Sequence, residues 1–403
     1  MIAPYLNIYR TKGAFKFSLA AFIARMPISM MSIAIVFVIV AKTDSYALAG
    51  TFTAIGALMA ALVVPFWSRA ADRYGQSRIL SIAVPIHIIA LLGFLTVIRL
   101  DAPRWSWFVL LIIFEGVFVG TGQMVRRRWS HVLNGDSKLM NTAYSVESLL
   151  DEIVFMVGPI ITTLCATNVG PYAGVLAAAI FLSIGSILFI AQKGTEPMPH
   201  PKIKGVKHKN PIFTLEVQAI FLPFIFTGAS FAAIGLIVVA YADQYGAKSQ
   251  TGLLYAIWAL GSLIAAFING AQHWKISVKS RYIFFTIALA IFTLPLLLAA
   301  KLFPGNLLML SIALFLNGIF IAPLIVAGYT AAENLVEENQ VTETLAWILS
   351  GLILGGALPG AITGHIIDTT GAQTAFIVPV IAMGISILTL IFYFKVWLNP
   401  RMK

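Results

Sequence analysis

The chain has 403 residues, 59% hydrophobic and 11% charged, whereas a soluble domain carries roughly a quarter charged residues. That composition excludes a protein with water as its only solvent, and the apolar runs are too long and continuous for the alternating strands of a membrane barrel. A net charge of +11 would suit nucleic acid, but the charges fall in short gaps between apolar runs and report membrane topology instead.

A spanning helix needs about 20 mostly apolar residues. Such stretches are predicted at 15–41, 47–67, 79–99, 105–128, 142–166, 172–192, 214–241, 250–270, 281–300, 306–330, 342–366 and 374–397. The class is an all-α membrane protein with twelve spans. Arg10, Lys12 and Lys16 precede the first run, which is too long for a signal peptide and lacks an Ala-x-Ala site, so it reads as a retained span. Of the 27 Lys and Arg residues, Lys42, Arg99, Arg104, Lys248 and Lys301 fall on one side and Arg25 inside a span. The others share the opposite side. This asymmetry places both termini in the cytoplasm of a cell (inner) membrane protein. The single cysteine, Cys165, excludes an intramolecular disulfide and a thiolate metal cluster. No metal or cofactor is implied.

Two halves are legible. Lys193 to Pro211 is polar, with five lysines, and reads as a linker (193–213) between six-helix bundles at 1–192 and 214–403. A shift of about 202 residues aligns Glu115-Gly116-Val117-Phe118-Val119 in span 4 with Asn317-Gly318-Ile319-Phe320-Ile321 in span 10. Ala54-Ile55 and Ala57 likewise meet Ala256-Ile257 and Ala259. A parallel repeat of this kind places a pathway at the interface of the halves, where rocking gives alternating access.

Between spans 2 and 3 stands Ser68-Arg69-Ala70-Ala71-Asp72-Arg73-Tyr74-Gly75-Gln76-Ser77-Arg78. This stretch resembles the Gly-x-x-x-Asp-Arg-x-Gly-Arg-Arg signature of the major facilitator superfamily. Asp72, Arg73 and Gly75 match, Ser68 replaces the first glycine, and Gln76-Ser77 replaces the basic pair ahead of Arg78. The resemblance covers essentially the whole chain and suggests a bacterial, efflux-like member. It implies two pseudo-symmetric six-helix bundles and a secondary transporter of a small solute, often driven by protons or sodium. The motif reads as a conformational latch or, alternatively, as a polar loop. Proton-linked exporters of this family carry an arginine in span 4, where this chain has Gly116. Gly158-Pro159 in span 5 is reminiscent of their span-5 motif.

Charges inside a membrane cost several kcal/mol and need partners, water or a function. Arg25 and Glu115 lie at similar depth in spans 1 and 4 and are expected to meet, either as a structural ion pair or as a coupling site for protons and substrate. Glu147, Asp151 and Glu152 in span 5 lie level with Arg126, Arg127 and Arg128. They form a candidate cytoplasmic gate network, with static positioning and proton carriage as alternatives. At 100° per residue, Glu147 and Asp151 share a face that Glu152 does not. His87 reads first as packing, and Asp243 and Lys248 as solvated loop charges. Tyr255, Trp258, Asn317, Tyr329 and Trp347 suit an apolar or amphipathic ligand, or packing. Gly351, Gly355, Gly356, Gly360 and Gly364 read as a small-residue packing face.

No phosphate loop, His-Glu-x-x-His, Gly-x-Ser-x-Gly or cysteine cluster occurs in the sequence, which points away from an enzyme. The first functional expectation is proton-coupled export of a small amphipathic compound by a monomer in the lipid bilayer. Proton-linked uptake of a metabolite is the alternative, and a membrane receptor or assembly protein is the non-transport alternative.

Overall fold

The computed structural model describes residues 8–133, 137–199, 211–271, 276–335 and 341–393. Among them every regular element is helical, and twelve helical segments are long and apolar enough to cross a membrane. The predicted linker core at 200–210 and the end of the last predicted span lie outside the described residues.

The first spans are α1 (Ala14–Thr43), α2 (Tyr46–Tyr74) and α3 (Gln76–Arg99). Span 4 is split into α4 (Arg104–Gly116) and α5 (Thr121–Val132), and α6 (Ser137–Asn168) and α7 (Ala173–Ile190) follow. The remaining helices are α8 (Leu215–Gln244), α9 (Thr251–Ala271), α10 (Val278–Leu302), α11 (Leu307–Gly318), α12 (Ile321–Leu335), α13 (Val341–Gly356), α14 (Gly360–Thr370), α15 (Ala372–Ala375) and α16 (Ile377–Phe392). Thr214, Ser277 and Asn306 cap α8, α10 and α11, their side-chain oxygens accepting from Val217, Ser280 and Met309 N–H groups.

The structure corrects the expected loop at Ser68–Tyr74, which continues α2 as helix. The turn is a single residue, Gly75, at φ 95°. Only glycine takes that backbone conformation without a steric penalty. Polar residues at the end of a span are therefore still helix here, and one glycine reverses the chain.

Spans 4 and 10 break at the position the repeat aligns, after Gly116 and after Gly318. The residues that align in sequence also align in backbone irregularity, an agreement that hydropathy alone does not impose.

The chain folds as two units, Met1–Val38 with Met59–Gly205, and Ile39–Leu58 with Val206–Lys403. In the first, α1 is the axis. A β-carbon at Gly158 of α6 would stand 2.0 Å from Ser29 Oγ, and one at Gly185 of α7 would stand 2.3 Å from Ala24 N. Small residues thus let the backbones touch, the route to helix association where lipid removes the hydrophobic drive. Phe17, Leu80, Trp129 and Phe189 fill the core at the α1 start.

In the second unit α8 has the same role. A β-carbon at Gly228 would meet Leu352 O at 1.9 Å, and one at Gly355 would meet Ile225 O at 1.8 Å. Gly360 and Gly364 of α14 similarly face Gly50 O and Tyr46 O, each at 2.2 Å. Gly356 differs, its nearest neighbour being Ala57 Cβ at 3.6 Å. Phe224, Tyr282 and Leu289 anchor this core.

Candidate functional site

Glu147 and Asp151 are one helical turn apart on α6, so both face α1. Arg25 of α1 spans them. Its Nη2 lies 2.5 Å from Glu147 Oε2 and its Nη1 lies 2.7 Å from Asp151 Oδ1, while Nε donates to Ala21 O. Glu147 is fully buried and also accepts from Ser18 Oγ at 2.7 Å and Trp129 Nε1 at 2.8 Å. Three donors satisfy that carboxylate, as a buried charge requires.

Asp151 is about one-third exposed and is shared. Its second oxygen accepts from Arg126 Nη2 at 2.8 Å, and Arg126 Nη1 donates to Gly122 O. Two guanidinium cations and two carboxylates from α1, α5 and α6 thus form one neutral cluster.

This geometry corrects the expected pairing of Arg25 with Glu115. Arg25 is committed to α6, and no salt bridge among the described residues includes Glu115. Depth along a span is readable from sequence, but the neighbouring helix is not. Gly158 draws α6 against α1, so the acids of α6 reach Arg25.

The arginine triplet also divides. Arg126 joins the cluster, and Arg127 pairs with Asp72 of α2 at 3.2 Å. Arg128 is buried, donating to Gln76 Oε1, Gln192 O and Thr195 Oγ1 above the Phe189 ring. Consecutive residues on a helix point 100° apart, so three arginines in a row reach different neighbours. Glu152 is half-buried on another face of α6.

The motif at the α2–α3 turn is tied down on several sides. Asp72 holds Arg127, and Arg73 covers the Tyr74 ring. Arg78 is exposed. Gln76 is buried and donates to Met124 O while accepting from Arg128. The Ser77 N–H and hydroxyl both donate to Glu196. Two of the three positions that depart from the family signature, Gln76 and Ser77, are therefore an uncharged bridge to α5 and a pair of donors to Glu196 beyond α7.

The break between α4 and α5 leaves carbonyls without helical partners. Trp67 Nε1 donates to Gly116 O at 2.9 Å, and His87 Nδ1 donates to Phe114 O at 2.7 Å. His87 is buried against Phe114 and Phe118. Glu115 is half-buried beside this break.

In the second unit Asn317 is fully buried, accepting from Trp258 Nε1 at 2.9 Å and donating to Thr293 Oγ1 at 3.0 Å. Tyr255 packs on Trp258, Trp347 on Phe221, and Tyr329 on Phe224. Asp243 and Lys248 are not simply solvated. They pair at 3.1 Å, and Tyr46 Oη donates to Asp243 at 2.7 Å. Asp368 accepts the Tyr46 and Ala47 N–H groups at the start of α2, and Ser45 Oγ as well. Sequence reading passed over Ser18, Trp129, Glu196, Tyr46 and Asp368. The two acids were visible as charges near span ends, but the others had no signal without the fold.

The family model of the Major Facilitator Superfamily matches residues 17–271 and 219–402. No curated protein matches the sequence. Among solved structures, the chain is similar to the POT family transporter PepTSo, with a TM-score of 0.73 at 10% identity over 96% of this chain and 97% of that one. A POT family transporter in complex with 5-aminolevulinic acid gives 0.71 at 13% identity over 96% and 97%. The nucleoside transporter NupG gives 0.69 at 13% identity over 95% and 99%. At these identities the likeness is one of fold.

Proposed function

Because this chain belongs to the Major Facilitator Superfamily, a family of transporters, we propose that it is a proton-coupled carrier that exports a small amphipathic compound by alternating access. It works in this reading as a monomer of two six-helix bundles (1–192 and 214–403) with both termini in the cytoplasm. The observation that carries the proposal is the neutral cluster of Arg25, Glu147, Asp151 and Arg126. Four ionised groups within spans are costly, and packing alone is achieved elsewhere in this chain by glycine and alanine.

Asp151 is the exposed member and bridges two cations. A proton on Asp151 removes the charge that joins Arg126 to Arg25, so protonation and helix contact change together. Glu115, at the α4–α5 break and outside the salt bridges, is a second carboxylate able to carry a proton. The aromatic groups Tyr255, Trp258 and Trp347 support an amphipathic solute. Export is favoured by Gly158-Pro159, which is reminiscent of the span-5 motif of the family's proton-linked exporters.

The test is accumulation of labelled anionic, neutral and cationic compounds in cells lacking their own exporters, with and without an uncoupler. Lower accumulation that the uncoupler abolishes is expected. Higher accumulation overturns export in favour of uptake. If no compound in a broad panel responds, the transporter gives way to a receptor or assembly role.

A further inference from the structure

We infer that Arg25 and Arg126 form the binding site for an anionic group of the transported solute, with Asp151 occupying that site as an internal stand-in. The inference rests on the transporter reading above and adds the substrate class to it.

One carboxylate is clasped by two guanidinium groups from different helices, Arg25 Nη1 on one oxygen at 2.7 Å and Arg126 Nη2 on the other at 2.8 Å. That is the arrangement by which arginines recognise a carboxylate or phosphate, at charge-assisted distances. The occupant here belongs to the chain itself. Glu147, fully buried and satisfied by three donors, is the permanent counter-ion that keeps Arg25 in place. Asp151 has only the two arginine contacts among those of the cluster and is 32% exposed, and Arg126 is 28% exposed. Charged groups within a span face the bundle interior or a water-filled cavity rather than lipid, and Arg126 and Asp151 are the partly exposed members of this cluster.

The donors are sufficient. A guanidinium carries five N–H groups, and Arg126 uses Nη1 for Gly122 O and Nη2 for Asp151. Gly122 lies against both arginines, a β-carbon there standing in ordinary contact at 3.6 Å from Arg25 Cδ and Arg126 Nη1, and it adds no side chain to crowd an incoming group. Gly122 is also the second residue of α5, a helix whose start has no side-chain cap. The uncapped N–H groups of a helix start add positive potential beside the arginines. An incoming anion takes over both arginine contacts, and the displaced Asp151 carboxylate is then met by water or a proton.

The experiment uses the purified full-length protein in proteoliposomes and a panel of matched triplets, each an organic carboxylate, its amide and the corresponding amine. Thermal stabilisation and flux are measured for every member. Carboxylates are expected to stabilise the protein and to move, while amides and amines do neither. Arg126→Gln should weaken carboxylate binding at least tenfold, and Arg126→Lys should restore part of it. Asp151→Asn, which removes the competitor, should tighten carboxylate binding several-fold. That gain separates the proposal from a structural role for Asp151, which would yield only loss. Flux of amides or amines without carboxylates overturns the anion site and leaves the transporter standing. Absence of flux for all three classes overturns both.

Discussion

Arg25 and Glu147 meet at 2.5 Å with 1% and 0% of their side chains exposed. Each is the other's buried partner, and Ser18 and Trp129 complete the carboxylate's shell.

Removing one partner should therefore cost more than removing both. Glu147→Gln leaves Arg25 short of a counter-charge and should destabilise the protein by about 3 to 5 kcal/mol, the range for breaking a buried pair. The double variant Arg25→Gln with Glu147→Gln should recover much of that loss. Thermal unfolding in detergent measures both, and a double variant no more stable than Glu147→Gln would refute the coupling.

The glycine face of α13 allows a sharper contrast between neighbours. Gly355→Ala would drive a β-carbon to 1.8 Å from Ile225 O, whereas Gly356→Ala meets only ordinary contacts at 3.6 Å and 3.8 Å. The first should cost about 1 to 3 kcal/mol by overpacking. The second should be neutral or slightly stabilising, as alanine in a helix usually is relative to glycine. Equal effects in a melting experiment would show that α13 does not approach α8 as described.

Gln76 tests the departure from the family signature. Placing the family's basic residue there, Gln76→Arg, sets a second cation beside buried Arg128 and removes the acceptor of its Nε. Destabilisation of about 2 kcal/mol or more is expected from the lost buried bond and like charge. Gln76→Glu, which keeps an acceptor and adds a counter-charge, should be tolerated better. The reverse ranking in expression and melting assays would argue against the Gln76–Arg128 bridge.

Tyr9 precedes α1 and lies beside Ser18 and the Trp129 ring. Desolvation raises its hydroxyl above the usual tyrosine value, opposed by the hydrogen bond with Ser18. The folded protein therefore ionises Tyr9 less readily than the unfolded chain, and stability should fall as pH rises past about 10, the free tyrosine value. Tyr9→Phe should lessen that alkaline loss, read as the difference between the two melting-temperature profiles.

How much of this was legible in the sequence depends on what each signal encodes. Twelve spans follow from hydropathy, and the shared face of Glu147 and Asp151 follows from helical periodicity. Both are properties of one segment. The partner of Arg25 is a property of two. Glu115 and Asp151 both offered a carboxylate, and the choice was made by Gly158 and Ser29, whose close contact brings α6 to α1. The α2–α3 turn shows the same limit from another side. Polar side chains suggested a loop, but backbone φ at Gly75 decides where the helix stops.

The breaks after Gly116 and Gly318 fall at matching positions of the repeat, yet Glu115 stands beside one and Asn317 beside the other. An amide keeps its charge of zero through any cycle, whereas a carboxylate can gain or lose one. A transmembrane voltage performs work only on charge that moves, about 2.3 kcal/mol per elementary charge per 100 mV. Of the two breaks, the one in the first repeat should therefore respond to voltage, and the one in the second should not.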